Sequence, residues 1–255
     1  MYIIKVGGGS EINLEGVVTD LATLEQPFVV VLGANALRDS LGIRLGQEKV
    51  ELTSVSGYSS VFSDATAIDL IMMAYSGLSN RRFVELCQCN GINAVGLTGL
   101  DGRLIQGRRN RGIKVREGGK TLVKRDFSGK PLDVNVSLLK SLLEQGYRPV
   151  LSIPIIDEAG FAINSENDDI VAVLQNALKA DKLIQLIEAP GFLEDKNDER
   201  SMLPTLSVAE LENRESLVEG RMKRKMLALR RRFDAGAVEV IIADGRTEHP
   251  VLDAL

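Results

Sequence analysis

The sequence predicts an α/β fold, a three-layer α/β/α sandwich with a mainly parallel central sheet. Short β-branched apolar runs recur along the chain, at 1–6, 28–32, 93–97, 149–153, 182–187 and 238–243. Helical patterns lie between them, at about 13–25, 64–90, 137–146, 168–180 and 219–235. Strands that alternate with helices are typical of a parallel sheet covered on both faces. In such sheets ligands bind beyond the carboxyl ends of the strands.

Length and composition limit the classes of function. A chain of 255 residues with 44% apolar residues is long enough for one large α/β domain or for two lobes that share a sheet. Its net charge of −4 argues against general nucleic-acid binding. No apolar run approaches the roughly 20 residues that cross a bilayer, and a strand pattern at the N-terminus leaves no room for a signal peptide. We therefore expect a cytoplasmic protein that binds neither nucleic acid nor membrane.

The side chains available for catalysis are few. Cys87 and Cys89 are the only cysteines and His249 is the only histidine. A zinc site needs about four such ligands, so we expect two reduced thiols and no metal site built by the protein alone. One histidine also argues against Ser-His-Asp and Cys-His catalysis. Chemistry must then depend on carboxylates, lysines, backbone amides and bound metal.

Three consecutive glycines, Gly7, Gly8 and Gly9, follow the first strand pattern. Such a turn directs backbone N–H groups at an anion, most effectively where a helix begins just beyond it. A purely structural turn is the alternative reading. The phosphate-loop pattern Gly-x-x-x-x-Gly-Lys-Ser/Thr is absent, and Gly96, Gly99 and Gly102 do not have the dinucleotide-binding spacing.

Charged residues accompany these turns. Lys5 lies in a strand that should be apolar if buried, so its charge needs a partner; a solvent-facing lysine on an edge strand is the alternative. Asp168 falls near the start of a predicted helix, where it could simply act as a cap. The cationic run 220–225 opens another predicted helix, and its alternative is a solvated basic face.

A basic segment between 103 and 130 stands out in an acidic protein. Glu117-Gly118-Gly119 predicts a hairpin turn within it. Positive charge concentrated there can steer an acidic partner, although a solvated hairpin is the alternative. Nucleic-acid binding is disfavoured because interleaved aromatics are missing. The basic residues are Arg108, Arg109, Arg111, Lys114, Arg116, Lys120, Lys124 and Arg125.

Four features occur in order along the whole chain: the Lys5-x-Gly-Gly start, the turn at Gly33, the Asn164-x-x-x-Asp168 pair and the Met222-Lys223-Arg224-Lys225 helix start. In these features the chain resembles the amino-acid kinase family, nearest its N-acetylglutamate kinase branch. The stretches 96–104 and 220–225 resemble the kinases of carrier-protein lysine biosynthesis. Those enzymes phosphorylate the side-chain carboxylate of α-aminoadipate held on a small acidic carrier protein.

The resemblance implies one amino-acid kinase domain over 1–255. An acceptor-binding lobe, 1–155, would contain the basic hairpin and a helix at about 64–90 that pairs across a homodimer. A nucleotide-binding lobe would follow at 156–255. The cofactors implied are ATP and Mg²⁺, with Mg²⁺ held largely by the phosphates. The attacking carboxylate is already ionised near neutral pH, so no histidine base is needed.

The resemblance also assigns roles to residues. Lys5, Asp168 and Lys225 would be catalytic. The phosphates and nucleotide would be held by Gly7, Gly8, Gly9, Ile187, Glu188, Gly191 and Met222. The acceptor would lie against Gly33, Ala34, Asn35, Val61 and Asn164. A carrier-binding patch would comprise Arg108, Arg109, Arg111, Lys114, Lys124 and Arg125.

Departures from the family pattern fall on the acceptor side. Ala34 and Asn35 stand where bare glycines are usual, and Val61 stands where an arginine normally binds the α-carboxylate. Glu166-Asn167 replaces a usual Asp-Gly. Either the acceptor differs, or the chain is a catalytically impaired nucleotide- or carrier-binding homologue. The candidates for a replacement cation are Arg44, Arg81 and Arg82.

Among acceptors, carrier-bound α-aminoadipate is the first choice and N-acetylglutamate the second. A nucleotide acceptor, as in uridylate-kinase-like relatives, is disfavoured by the segment from Asn164 to Asp168. The retained Lys5 and glycine turn favour an active kinase.

Overall fold

A six-stranded parallel sheet forms the centre of the protein. The structure, a computed structural model, describes residues 1–55, 59–195, 197–217, 226–227, 230, 233 and 239–255. The sheet strands are β1 (Tyr2–Val6), β2 (Phe28–Leu32), β5 (Ala94–Thr98), β10 (Arg148–Ser152), β13 (Lys182–Ile187) and β14 (Val240–Asp244). Their order is β14-β13-β1-β2-β10-β5, and every pairing is parallel. The predicted parallel sheet is confirmed at all six apolar runs.

The two central strands contribute side chains to both faces of the sheet. All five residues of β2 are buried, as expected for a strand covered on two sides. Ile3 and Val31 belong to one apolar cluster, whereas Ile4 and Val30 belong to another. Successive side chains of a strand point to opposite faces, so these two clusters are the two layers between sheet and helices. The three-layer prediction is therefore confirmed.

Helices connect the strands and cover the sheet. They are α1 (Leu14–Thr23), α2 (Asn35–Arg44), α3 (Ala65–Ile71), α4 (Asn80–Cys89), α5 (Val136–Glu144), α6 (Asn167–Leu178) and α7 (Val208–Leu217). The long helix predicted at 64–90 is present as α3, a π-helical stretch Met72–Ser79, and α4. The sequence analysis missed α2 and α7. Most of the helix predicted at 219–235 lies outside the described residues.

Smaller β-elements lie beside the main sheet. They are β3 (Glu51–Thr53), β4 (Ser59–Val61), β6 (Ile105–Arg109), β7 (Ile113–Glu117), β8 (Lys120–Lys124), β9 (Gly129–Val134), β11 (Ile155–Ile156) and β12 (Ala162–Ile163). Four of them form a sheet in the order β12-β11-β6-β9, and β3–β4 and β7–β8 are hairpins. Gly118 and Gly119 both have positive φ, which confirms the predicted β7–β8 turn. The N–H of Val55 donates to the Lys114 carbonyl at 2.8 Å and joins the two hairpins.

The C-terminal segment is held against α1 by a buried carboxylate. Asp20 accepts hydrogen bonds from the N–H groups of Val251 and Leu252 and contacts Nδ1 of His249. The hydrogen bond to Asp20 raises the pKa of His249. Among the helices that the structure describes, none is long and apolar enough to span a membrane.

Candidate active site

Two turns meet at the carboxyl ends of β1 and β2: the first turn, Gly7–Gly9, and the second turn, Gly33–Asn35. A methyl group on Gly8 would lie 2.5 Å from the backbone nitrogens of Ala34 and Asn35, and one on Gly33 would lie 2.6 Å from the Gly8 nitrogen. The N–H of Ala36 donates to the Gly8 carbonyl at 2.8 Å. The two main chains lie so close together that a side chain at either glycine would clash with the other turn. The helix α2 also begins here. The N–H groups at its start and those of the glycine turn Gly7–Gly9 therefore lie at one corner that is suited to an anion.

Lys5 lies beside this corner and forms an ion pair. Its Nζ is 2.6 Å from Oδ1 of Asp168, and the two side chains are 12% and 20% exposed. Because β1 lies between β13 and β2, the edge-strand reading of Lys5 is wrong. Asp168 is inside α6, whose N-cap is Glu166, so the capping reading is also wrong. The amide of Asn167 donates to the Leu32 carbonyl at 3.2 Å and fixes the start of α6 to the end of β2.

A carboxylate from the neighbouring strand end contacts the first glycine turn. Oε1 of Glu188 accepts the N–H of Glu11 at 2.6 Å, and the Glu188 carboxylate occupies the space that a side chain on Gly9 would fill. Ile187 ends β13 immediately before it, and Gly191 follows in a buried position. The structure thus places Ile187 and Glu188 at the same edge as the glycine turn, whereas Gly191 packs against Met202 and the carbonyl of Ile242 in β14.

Two of the predicted residues cannot be located in this site. Met222 and Lys225 lie outside the described residues, together with the rest of the cationic run at 220–225. Their roles in nucleotide binding and catalysis remain predictions.

The acceptor-side residues Val61 and Asn164 are brought together by Ser63. The buried Ser63 hydroxyl accepts from Asn164 Nδ2 at 2.9 Å and donates to the Val61 carbonyl at 3.2 Å. Its carbonyl accepts the N–H of Phe127 at 2.7 Å, and its N–H donates to Asp126 Oδ2 at 3.1 Å. The sequence analysis missed Ser63 because an isolated serine carries no spacing signal.

The three arginines suggested as replacements for the missing guanidinium lie elsewhere. Arg44 is exposed at the end of α2, and Arg82 pairs with Glu85 on an exposed helix face. Arg81 bonds to Asn80 at 2.6 Å and packs against Gly96 of the outermost strand β5. In the part of the chain that the structure describes, the positions and contacts of these three arginines lie away from Ser63.

A different arginine lies close to the second turn. Arg38 is buried in α2, and its Nε and Nη2 contact Asp39 Oδ1 at 2.9 and 2.6 Å. Lys49 contacts the other carboxylate oxygen at 2.8 Å. Burial raises the pKa of Asp39, but hydrogen bonds from Lys49 and Arg38 outweigh it, so this pKa lies below its ordinary value. The Asp39 carboxylate therefore stays ionised at neutral pH between Arg38 and Lys49.

Tyr75 links the long helix to the second turn. It lies in the π-helical stretch, is 3% exposed and donates its hydroxyl to Asn35 Oδ1. Burial raises the pKa of Tyr75 to about 12, although Arg38 and the Ala34 N–H act in the opposite direction. In the sequence Tyr75 is one residue of a largely apolar helical stretch, and nothing in that stretch indicates a contact with Asn35.

The predicted basic patch is divided between surface and interior contacts. Arg108, Arg111, Lys114 and Arg125 are exposed, whereas Lys124 is half-buried. Arg109 stacks 3.8 Å from the ring centre of Phe127 and donates to the Asp126 carbonyl at 2.8 Å. Arg109 therefore connects the patch to the segment that holds Ser63.

Within the described ranges, no group of three or more His, Cys, Asp and Glu residues could hold a metal ion. Cys87 is buried, which raises its thiol pKa to about 12, and Cys89 is exposed; neither is in a disulfide.

Comparisons with known proteins agree with this geometry. Residues 1–244 match the sequence profile of the amino acid kinase family. The chain is 39% identical over 261 residues to the [LysW]-aminoadipate kinase of Thermus thermophilus, covering 100% of this chain and 97% of that protein. It is 30% identical to the acetylglutamate kinase of Archaeoglobus fulgidus, covering 98% and 87%.

A solved structure shows the same fold. The carbamate kinase of Giardia superposes with a TM-score of 0.67 at 14% identity, over 99% of this chain and 95% of that chain. This structural similarity shows the fold, and the sequence matches over the whole chain show the family. The chain belongs to the amino acid kinase family.

Proposed function

We propose that this protein is an ATP-dependent kinase that phosphorylates the side-chain carboxylate of an amine-blocked acidic amino acid. Carrier-bound α-aminoadipate is the first choice of acceptor and N-acetylglutamate the second. The observation that carries the proposal is the Lys5–Asp168 pair, which lies beside the junction of the two turns. The names of the similar aminoadipate and acetylglutamate kinases support the choice of acceptors.

The proposed reaction needs positioned charge more than a strong base. A carboxylate oxygen of the acceptor bonds to the γ-phosphorus, the bond from that phosphorus to the β–γ bridging oxygen breaks, and an acyl phosphate and ADP result. No proton is transferred, since the acceptor is ionised at neutral pH. Lys5 and the backbone N–H groups at Gly8 stabilise negative charge on the phosphoryl group. Asp168 holds the Lys5 ammonium in place.

In this proposal one side of the site binds the nucleotide and the other side binds the acceptor. The nucleotide binds along Ile187, Glu188, Gly191 and Met222 in the lobe formed by 156–255, and Mg²⁺ enters with its phosphates. Lys225 stabilises the leaving side of the β–γ bond. The acceptor lies against Gly33–Asn35 and Val61 in the lobe formed by 1–155, and it also contacts Asn164 at the start of the other lobe.

The partners follow from surface features. The exposed cations Arg108, Arg111, Lys114 and Arg125 form a surface for a small acidic carrier protein. Met73 and Leu78 are 48% and 40% exposed on the long helix, which supports a homodimer that pairs through this helix. A binding protein without catalysis is disfavoured because Lys5, Asp168 and the glycine turn are all in place.

The test is a hydroxamate trap for the acyl phosphate. Purified protein is incubated with Mg-ATP, hydroxylamine and either carrier-bound α-aminoadipate or N-acetylglutamate. We expect hydroxamate with the carrier-bound acceptor at a higher kcat/KM than with N-acetylglutamate. The variant Lys5→Met serves as the inactive control. ATP binding without product from either acceptor would refute the kinase and leave a binding protein.

A further inference from the structure

One side-chain contact crosses from the long helix to the mouth of the proposed site. Tyr75 is buried under the second turn, whereas Asn35, the residue that it contacts, is exposed. Ser76, the next residue, donates to the Ile153 carbonyl at 3.1 Å and holds the same π-helical stretch to the end of β10. Interruptions of this kind in an α-helix often occur at functional sites. Tyr75 is therefore a fixed support for an accessible amide.

The hydrogen-bond pattern determines how that amide is turned. The Tyr75 hydroxyl donates its proton to Oδ1 of Asn35. An amide oxygen can only accept a hydrogen bond, whereas the phenol hydroxyl can donate one. The phenol proton must therefore point to Asn35, and the amide must present its oxygen to Tyr75. This arrangement leaves the two N–H bonds of Asn35 Nδ2 directed away from Tyr75.

Asn35 borders the place where the phosphoryl group would be transferred. Its backbone nitrogen is one of the two atoms that a methyl group on Gly8 would strike. It is also the first residue of α2, where the helix dipole favours negative charge. A glycine at this position would offer only its backbone N–H, whereas Asn35 adds a side-chain amide with two N–H bonds. A side-chain donor is thus present beside the main-chain donors of the turn.

We propose that Nδ2 of Asn35 donates a hydrogen bond to a non-bridging oxygen of the γ-phosphoryl group during transfer, and that Tyr75 positions it. This inference rests on the proposed kinase function and adds a catalytic residue to it. Asn35 touches the transferring group, and Tyr75 acts only through Asn35. The departure from bare glycine at Asn35 is then a substitute donor and not a defect.

Steady-state kinetics with the acceptor identified by the hydroxamate trap test the assignment. We expect Asn35→Ala to lower kcat by about 10²-fold, the usual effect of removing one donor to a developing charge, with both KM values changed less than threefold. Tyr75→Phe should lower kcat by about tenfold, because the amide loses its orientation but keeps its donor. Asn35→Ser, which retains a short donor, should recover part of the rate.

A double-mutant cycle separates positioning from independent effects. If Tyr75 acts through Asn35, Tyr75→Phe should have no further effect on kcat in the Asn35→Ala background. Additive losses would overturn the positioning role. Unchanged kcat in Asn35→Ala would overturn the donor role even if its Tm were lowered, because that combination describes a structural contact. The control is Tyr147→Phe, which removes a hydroxyl just before β10 at the opposite end of the sheet and should leave kcat unchanged.

A measurement without turnover distinguishes failure of this inference from failure of the proposed function. The side-chain amide signals of Asn35 are assigned in ¹⁵N-labelled protein by their loss in Asn35→Ala. We expect them to shift with Mg-ADP plus aluminium fluoride, a mimic of the transferring group, and to stay unshifted with Mg-ADP alone. No shift with the mimic would refute the contact. A shift in a protein that gives no hydroxamate would retain the contact and refute the kinase.

Discussion

The phosphate side of the proposed site is held together by main-chain contacts, whereas its acceptor side is held together by side-chain hydrogen bonds. On the phosphate side, main chain touches main chain, where Gly8 lies against the backbone of Ala34 and Asn35 at the ends of adjacent strands. On the acceptor side, side chains from distant segments hold one another: Ser63 bonds to Asn164, and Asp126 bonds to the N–H of Ser63. The first arrangement follows from the sheet, whereas the second depends on several independent loops.

This difference explains why glycine is required at Gly8 and Gly33, the points of closest contact, whereas the predicted departures from the family pattern fall at Ala34, Asn35 and Val61. Main-chain contacts between parallel strand ends tolerate only glycine at the closest points, because any Cβ would clash. A network of serine, asparagine and aspartate can be rebuilt with other polar residues while its hydrogen bonds remain satisfied. The acceptor side can therefore change its chemistry, as the family resemblance implies at Val61, without disturbing the phosphate side.

The largest expected effect is the loss of the Lys5 ammonium. Lys5→Met should lower kcat by at least about 10²–10³-fold, because a positioned charge next to the transferring group is removed. ATP binding, measured by calorimetry, should change much less. Lys182→Met is the matched control, since Lys182 is also a strand lysine but lies at the amino end of β13. Equal activity of the wild type and Lys5→Met would place catalysis elsewhere.

The second expected effect tests the main-chain contact itself. Gly8→Ala should lower the free energy of unfolding by about 1–3 kcal/mol, since the new methyl group meets two backbone nitrogens that cannot move independently. It should also raise the KM for ATP. Gly77→Ala is the control: it has an ordinary φ, and its nearest neighbour would be 3.4 Å away. Urea denaturation of both variants measures the difference, and equal stability would show that the turns are not in close contact.

The central sheet could be predicted from the sequence, whereas several smaller elements around it could not. Every strand of the main sheet was marked by a short apolar run, because strands buried on both faces have little choice of residues. The helix α2 was missed because its sequence, NALRDSLGIR, mixes polar and apolar residues without a clear stripe. The strands β11 and β12 have only two residues each, too few to show a period.

The site was predictable where one element carried the signal. Lys5 and the glycine turn were recognised together because they are adjacent in sequence and lie at one strand end. The ion pair of Lys5 with Asp168 spans 163 positions, and only the resemblance to a family assigned both residues to one site. The contacts of Ser63 and Tyr75 could not be anticipated, since each is made by a common residue to a partner far along the chain.

A third prediction tests whether the acceptor side acts as a connected network. Ser63→Ala removes the hydroxyl that holds the Asn164 amide, so the KM for the acceptor should rise about fivefold, the equivalent of about 1 kcal/mol for one hydrogen bond. The KM for ATP should stay constant. Ser137→Ala is matched to it, because Ser137 bonds to Asn135 at 2.7 Å on a distant exposed helix start. If the KM for ATP rose equally, the two sides would not be independent.

The smallest expected effect concerns the approach of the carrier. Reversing two exposed charges, Arg108→Glu with Arg111→Glu, should raise the KM for a carrier-bound acceptor by about threefold at low salt, since rim charges act mainly on encounter. The effect should shrink in 0.5 M salt, where charges are screened within a few ångströms, on the order of 4 Å. Activity towards N-acetylglutamate should be unchanged.

The double variant Lys140→Glu with Lys179→Glu is the control. It makes the same change in net charge on α5 and just after α6, and it should have no effect on the KM for either acceptor. An equal rise in KM for both acceptors would assign the patch to the amino acid itself and extend the acceptor side to the hairpin.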